Sequence, residues 1–244
     1  MSRIFWKTIA GHCIYQSADI QVLQNPIYRW LMFKDRIHLQ TLIHRHSPHK
    51  PMLNYLKPFT LAVRTLAPGP VCLLGLGGGG VVHFIAQHIF PYPITAVEAS
   101  LEVVDIAAQW FMLSQIAHLT TVHQYAEHYV LQNTCKYQHL LIDIYTAEGF
   151  PISCQDHHFF IHCKQLLTNT GFLALNLANF AQEIHLLTHL RDVFSQKTIC
   201  IPIPTTTNMI ILASVCDHAF QQLLQRTSFK TLIWDKQFGY MGRI

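Results

Sequence analysis

Three places in the chain carry groups whose types and spacing could do chemistry. Residues 72 to 82 read CLLGLGGGGVV, five glycines among apolar neighbours, and Gly75, Gly77 and Gly80 fit the spacing G-x-G-x-x-G. Glu98 follows 21 residues after Gly77, at the end of the next apolar run, ITAVE. Asp143 ends a third run, HLLID. Between a strand and a helix, such a loop presents free N–H groups and the positive end of the helix to an anionic or polar ligand, and its glycines let that ligand approach the backbone. A carboxylate at the end of the second strand is placed to accept hydrogen bonds from ribose hydroxyls. A carboxylate at the end of the fourth strand lies where open α/β sheets hold their ligands. There Asp143 would serve either as a base or as a strand-end residue held by backbone N–H groups. The glycine spacing by itself also suits a nicotinamide enzyme, or a purely structural turn.

These groups need elements to position them. RIFWKTIA, YQSADIQVLQ and YRWLMFKDRIHLQTLI are rich in aromatic and β-branched residues, which predicts a small β-meander over residues 1–47. HRHSPHKP forms a polar hinge, and MLNYLKPFTLAVRTL has helical spacing broken or kinked at Pro58. From residue 71, short apolar strands alternate with helices of about a dozen residues: VCLLG, GVVHFIAQHIF, PITAVEAS, LEVVDIAAQWFML, LTTVHQ, AEHYVLQ, YQHLLIDIY, QDHHFFIHCKQLL, FLALNLAN and AQEIHLLTHLRDVF. KTICIPI and NMIILASV close the series as a strand pair. The alternation predicts an α/β fold, a Rossmann-like doubly wound sheet over 48–216, with 217–244 as a C-terminal helix and tail.

Composition limits the partners. The 244 residues are 50% hydrophobic and 12% charged, with a net charge of +4 spread along the chain, so no concentrated basic stripe for nucleic acid is present. Residues 71–90 are uncharged and about long enough to span a bilayer, with Gly75 and Gly79 as a GxxxG pair. Four consecutive glycines would cost a helix about 1 kcal/mol each relative to alanine, which argues against a membrane span. The seven cysteines include no CxxC pair and suit a cytoplasmic protein with reduced thiols. His44, His46 and His49, and the group Cys154, His157, His158, His162 and Cys163, lack the paired spacing of a zinc site, so no metal is expected.

LLGLGGGG, VEASLEVVDIAAQWF, TVHQYAEHYV, LLIDIYTAEGFP and GFLALNLAN, together with NYLKPF and a leader carrying Phe33 and Gln40, resemble the polyamine aminopropyltransferases, or spermidine synthases, over roughly residues 15–215. The resemblance implies a small N-terminal β-domain before a Rossmann-like domain of the class I methyltransferase type, a homodimer, and decarboxylated S-adenosylmethionine as the nucleoside. S-adenosylmethionine itself is the alternative, with a methyltransferase or a non-catalytic dimeric relative as the corresponding functions. Carried over by position, Gly75, Gly77, Gly78, Gly79 and Gly80 would wrap the methionine-derived part. Glu98 would hold the ribose, Gln40 would reach in from the leader, and Tyr125 and Ala126 would lie beside the adenine. Asp143 would act at the reacting end, with Tyr55 and Thr146 toward a polyamine. Three family aspartates are replaced, at Gly78, Tyr125 and Thr146. A diamine is doubly cationic at neutral pH and binding it calls for carboxylates, which these three positions lack.

Overall fold

The computed structural model describes residues 11–33, 39–146, 149–226 and 229–244. Four antiparallel strands form the leader: β1 (His12–Gln16), β2 (Ile20–Gln24), β3 (Tyr28–Phe33) and β4 (Leu39–His44), in that order across the sheet. The stretch RIFWKTIA lies outside the described residues. YRWLMFKDRIHLQTLI, expected as one strand-rich run, supplies two paired strands, with Tyr28 opposite His44. MLNYLKPFTLAVRTL folds as two short helices, α1 (Leu56–Phe59) and α2 (Leu61–Thr65). Pro58 sits within the first, and the break comes at Thr60, whose hydroxyl donates to the Leu56 carbonyl at 2.7 Å.

The strands that follow are β5 (Val71–Leu74), β6 (Ile94–Glu98), β7 (Leu119–His123), β8 (Tyr137–Ile142), β9 (Leu167–Leu177), β10 (Thr198–Pro202) and β11 (Met209–Ser214). Between or after them run α3 (Gly80–Ile89), α4 (Leu101–Trp110), α5 (Ala126–Gln132), α6 (His157–Gln165), α7 (Phe180–Val193) and α8 (Asp217–Arg226). The tail after α8 is a hairpin, β12 (Thr231–Asp235) and β13 (Gly239–Arg243), whose second strand pairs parallel to β10. The sheet therefore has nine strands, ordered β12-β13-β10-β11-β9-β8-β5-β6-β7. Residues 71–90, the one stretch long enough to suggest a membrane span, divide into β5, the glycine loop and a ten-residue helix. No helix among the described residues is long and apolar enough to cross a membrane.

The central strands β5 and β8 are buried along their whole length because both faces are covered. Leu73, Ala96, Leu141 and Ala174 face α1, α2, α3 and α8, while Cys72, Leu74, Leu140 and Ile142 face α5, α6 and α7. The leader sheet packs on α4, where Ile20, Val22, Leu31 and Ile43 meet Val103, Ile106 and Phe111. Strand order reverses between β5 and β8, which leaves a crevice at their carboxyl ends. Gly75 follows β5 and Asp143 follows β8, so topology alone makes them neighbours.

Candidate functional site

The glycine loop leaves β5 under tight geometric constraint. The Gly75 N–H donates to the Val97 carbonyl at 2.8 Å, and the Asp143 N–H donates to the Leu74 carbonyl at 2.8 Å. Gly75 has φ +91°, and a Cβ there would lie 2.1 Å from the Asp143 carbonyl oxygen. No other residue fits between the two strand ends. The chain then turns through Gly79, the N-cap of α3, and Gly80 opens the helix. The five glycines thus form a strand-to-helix elbow rather than part of a continuous helix.

Gly78 has a different constraint. Its N–H donates to Thr41 Oγ1 at 2.8 Å, and a Cβ there would sit 2.9 Å from both the Phe111 ring and the Thr41 methyl. Phe111 is fully buried, and its carbonyl oxygen is 2.6 Å from Nε2 of buried His83. The position where the resemblance expects an aspartate is therefore filled by a side chain of the leader sheet and a fixed aromatic ring.

Glu98, at the end of β6, turns toward the elbow. One carboxylate oxygen accepts from the Leu76 N–H at 3.0 Å and the Gly77 N–H at 3.4 Å, and the other accepts from the Ser100 N–H at 3.0 Å. Ser100 caps α4 by accepting from Val103. The carboxylate thus ties the loop to the start of α4. Gln124 N–H donates to the Glu98 carbonyl at 3.0 Å, which brings the start of α5 alongside.

Asp143 is bonded through both carboxylate oxygens. Tyr55 donates to one at 2.8 Å, and the Asn176 side-chain amide donates to the other at 2.8 Å. Burial raises the Asp143 carboxyl above the usual carboxylate range, against the lowering effect of these two donors. Burial first, and then the Asp143 charge, push the Tyr55 phenol well up, so it stays a neutral donor. Asn176 Oδ1 in turn accepts from Asn208 Nδ2 at 2.9 Å. Beside this group, the Tyr145 hydroxyl lies 2.8 Å from the Asn176 carbonyl and 3.1 Å from Glu183, with its one proton donated to either. Burial also raises the Glu183 carboxyl.

The structure therefore brings together Gly75, Gly77, Gly78, Gly79, Gly80, Glu98, Tyr55 and Asp143. Gln40 lies where the β3–β4 register jumps between Thr41 and Leu39. Tyr125 is exposed at the N-cap of α5, and Ala126 begins that helix as a buried residue. Among the described residues, no hydrogen bond joins these three side chains to Glu98 or Asp143. Thr146 is exposed and bridges to Gly149. Thr41, Asn176, Asn208, Tyr145 and Glu183 were not anticipated from sequence. A lone asparagine in the apolar run FLALNL was the one visible signal, since a buried amide requires partners. Among the described residues, no group of three or more His, Cys, Asp and Glu side chains could hold a metal.

Glycine elbow, paired acid and strand order together define a Rossmann-like α/β protein of the class I methyltransferase type. The solved human methyltransferase-like protein 13, in complex with SAH, superimposes with a TM-score of 0.60 at 21% identity, covering 75% of this chain and 96% of its own. Within that class the chain is similar in sequence to a polyamine aminopropyltransferase and in fold to spermidine synthases. A polyamine aminopropyltransferase of Vibrio vulnificus (strain CMCP6) is 29% identical over 224 residues, 87% of this chain and 73% of the relative. A spermidine synthase in complex with the transition-state analogue AdoDATO superimposes with a TM-score of 0.68 at 17% identity, over 86% of this chain and 76% of that one. No protein-family model matches the chain.

Proposed function

We propose that this protein is an aminopropyltransferase-like transferase that binds decarboxylated S-adenosylmethionine, or S-adenosylmethionine, and joins the transferred group to an amine. The observation that carries the reading is Asp143, held by Tyr55 and Asn176 directly against the glycine elbow. The elbow's bare backbone suits close approach of a nucleoside, and Glu98 stands where ribose hydroxyls would replace loop N–H groups. Such a sulfonium nucleoside, when bound, supplies an electrophilic carbon next to sulfur. The chain's own residues must hold the acceptor amine and take its proton. Asp143 accepts that proton as the amine nitrogen bonds to carbon, and the C–S bond breaks to leave a neutral thioether. Tyr55 and Asn176 hold the carboxylate in the orientation that this requires.

Gly78, closed over by Phe111 and Thr41, favours a second reading, a methyltransferase on S-adenosylmethionine: no carboxylate fits there to hold a transferred ammonium. Either reading expects a cytoplasmic homodimer with reduced thiols. Incubating the protein with each nucleoside and a panel of diamines, then analysing products by mass spectrometry, separates the two. Wild type is expected to release methylthioadenosine with decarboxylated S-adenosylmethionine. Asp143→Asn should bind the nucleoside with wild-type affinity and lose at least about 100-fold in transfer, the scale of a general base. Full turnover by Asp143→Asn would refute the role of the carboxylate. Methylated product from the parent nucleoside would establish the second reading.

A further inference from the structure

Asn176 is 3% exposed and lies in a strand that is otherwise apolar over residues 171–177. Its amide can face Asp143 with nitrogen or with oxygen, and only nitrogen stabilises the ionised carboxylate. An ionised Asp143 only accepts and so favours the nitrogen, and the other neighbour of the amide reinforces or opposes that choice. Asn208, just before β11, donates Nδ2 to Asn176 Oδ1 at 2.9 Å, which leaves Nδ2 of Asn176 for Asp143. The turn that carries Asn208 is itself fastened to the segment after β9. Thr207 donates its hydroxyl to the Ala178 carbonyl at 2.6 Å, and the Phe180 N–H donates to the Thr207 carbonyl at 3.1 Å. Within the turn, the Asn208 N–H donates to Thr206 Oγ1 at 3.1 Å and its carbonyl accepts from the Ile203 N–H at 3.0 Å. Those backbone bonds hold the residue in place and leave its side chain for the amide.

We propose that Asn208 is a positioning residue for Asp143, locking the Asn176 amide in the orientation that faces a donor to the carboxylate. Its consequence for transfer rests on the proposed role of Asp143 as proton acceptor. The other polar groups around the carboxylate are Tyr55 from before α1, Tyr145 from the loop after β8, and Glu183 from α7. None of them bonds to Asn176 Oδ1, so none substitutes for Asn208 in orienting that amide.

The test follows the carboxyl carbon of Asp143 by NMR across a pH series, using ligand-free protein labelled at aspartate, with the resonance identified by its loss in Asp143→Asn. Asn208→Leu is expected to move the Asp143 midpoint to higher pH, because the freed amide no longer presents only its donor. Asn176→Leu should move it upward as well, and adding Asn208→Leu to Asn176→Leu should move it no further. Asn208→Gln, which keeps a donating amide, should restore at least part of the wild-type midpoint. Should the branched side chain prevent folding, Asn208→Ala serves in the same series. An unchanged midpoint in a folded Asn208 variant overturns the proposal, as does an equal shift with and without Asn176. Because no substrate is present, absence of transfer activity in wild type would defeat the proposed function and leave this result standing.

Discussion

A carboxylate that takes a proton must be ionised when the amine arrives, and its neighbours set the pH at which it is. Burial raises the Asp143 carboxyl, while Tyr55 and Asn176 each lower it by donating to the charged form. Transfer is therefore expected to rise with pH through an acidic limb above the ordinary carboxylate range. Tyr55→Phe removes one donor and keeps the ring, so the protonated form gains and the limb should move to still higher pH. A pH–rate profile of this variant checks the sign, and a limb that stays put or moves down would contradict it. Asp143 was legible in sequence because it ends an apolar strand run. Asn208 was not, because its tie to Asn176 comes from pairing β9 against β11, with Ile210 opposite Asn176.

The glycine elbow shows what one element permits and another takes away. Gly75 must be glycine for its φ and for the Asp143 carbonyl beside it, a requirement already visible in the strand–glycine–helix pattern. Gly78 is constrained from outside its own element, by Thr41 on β4 and by Phe111 after α4. No local pattern predicts that. Gly78→Asp, which introduces the aspartate that the resemblance expects there, should therefore destabilise the protein. Overpacking costs about 1–3 kcal/mol, and a carboxylate desolvated between a ring and a methyl group adds to it. At about 2–4 °C per kcal/mol for a chain of this size, the melting temperature should fall by several degrees. A variant that melts with wild type would show that the ring and strand yield readily. The tail shows a similar limit: its five-residue strands joined a sheet edge through a parallel pairing with β10, which sequence spacing does not reveal.

At the scale of the molecule, the order of strands places the chemistry. The alternation of apolar strands and helices predicted the doubly wound sheet, and the reversal between β5 and β8 creates the crevice that Gly75 and Asp143 share. The leader sheet closes one side, resting on α4 through Phe111 and reaching the elbow through Thr41. All of this amounts to a nucleoside site only if Glu98 exchanges its backbone partners for a ribose. Calorimetric titration of methylthioadenosine into wild type and Glu98→Ala is the most direct test. Wild type should bind saturably, and Glu98→Ala should bind about 10- to 150-fold more weakly, the equivalent of roughly 1.5–3 kcal/mol for a hydrogen bond to a charged group. Equal affinity in the two proteins, or no binding to wild type, would contradict the account.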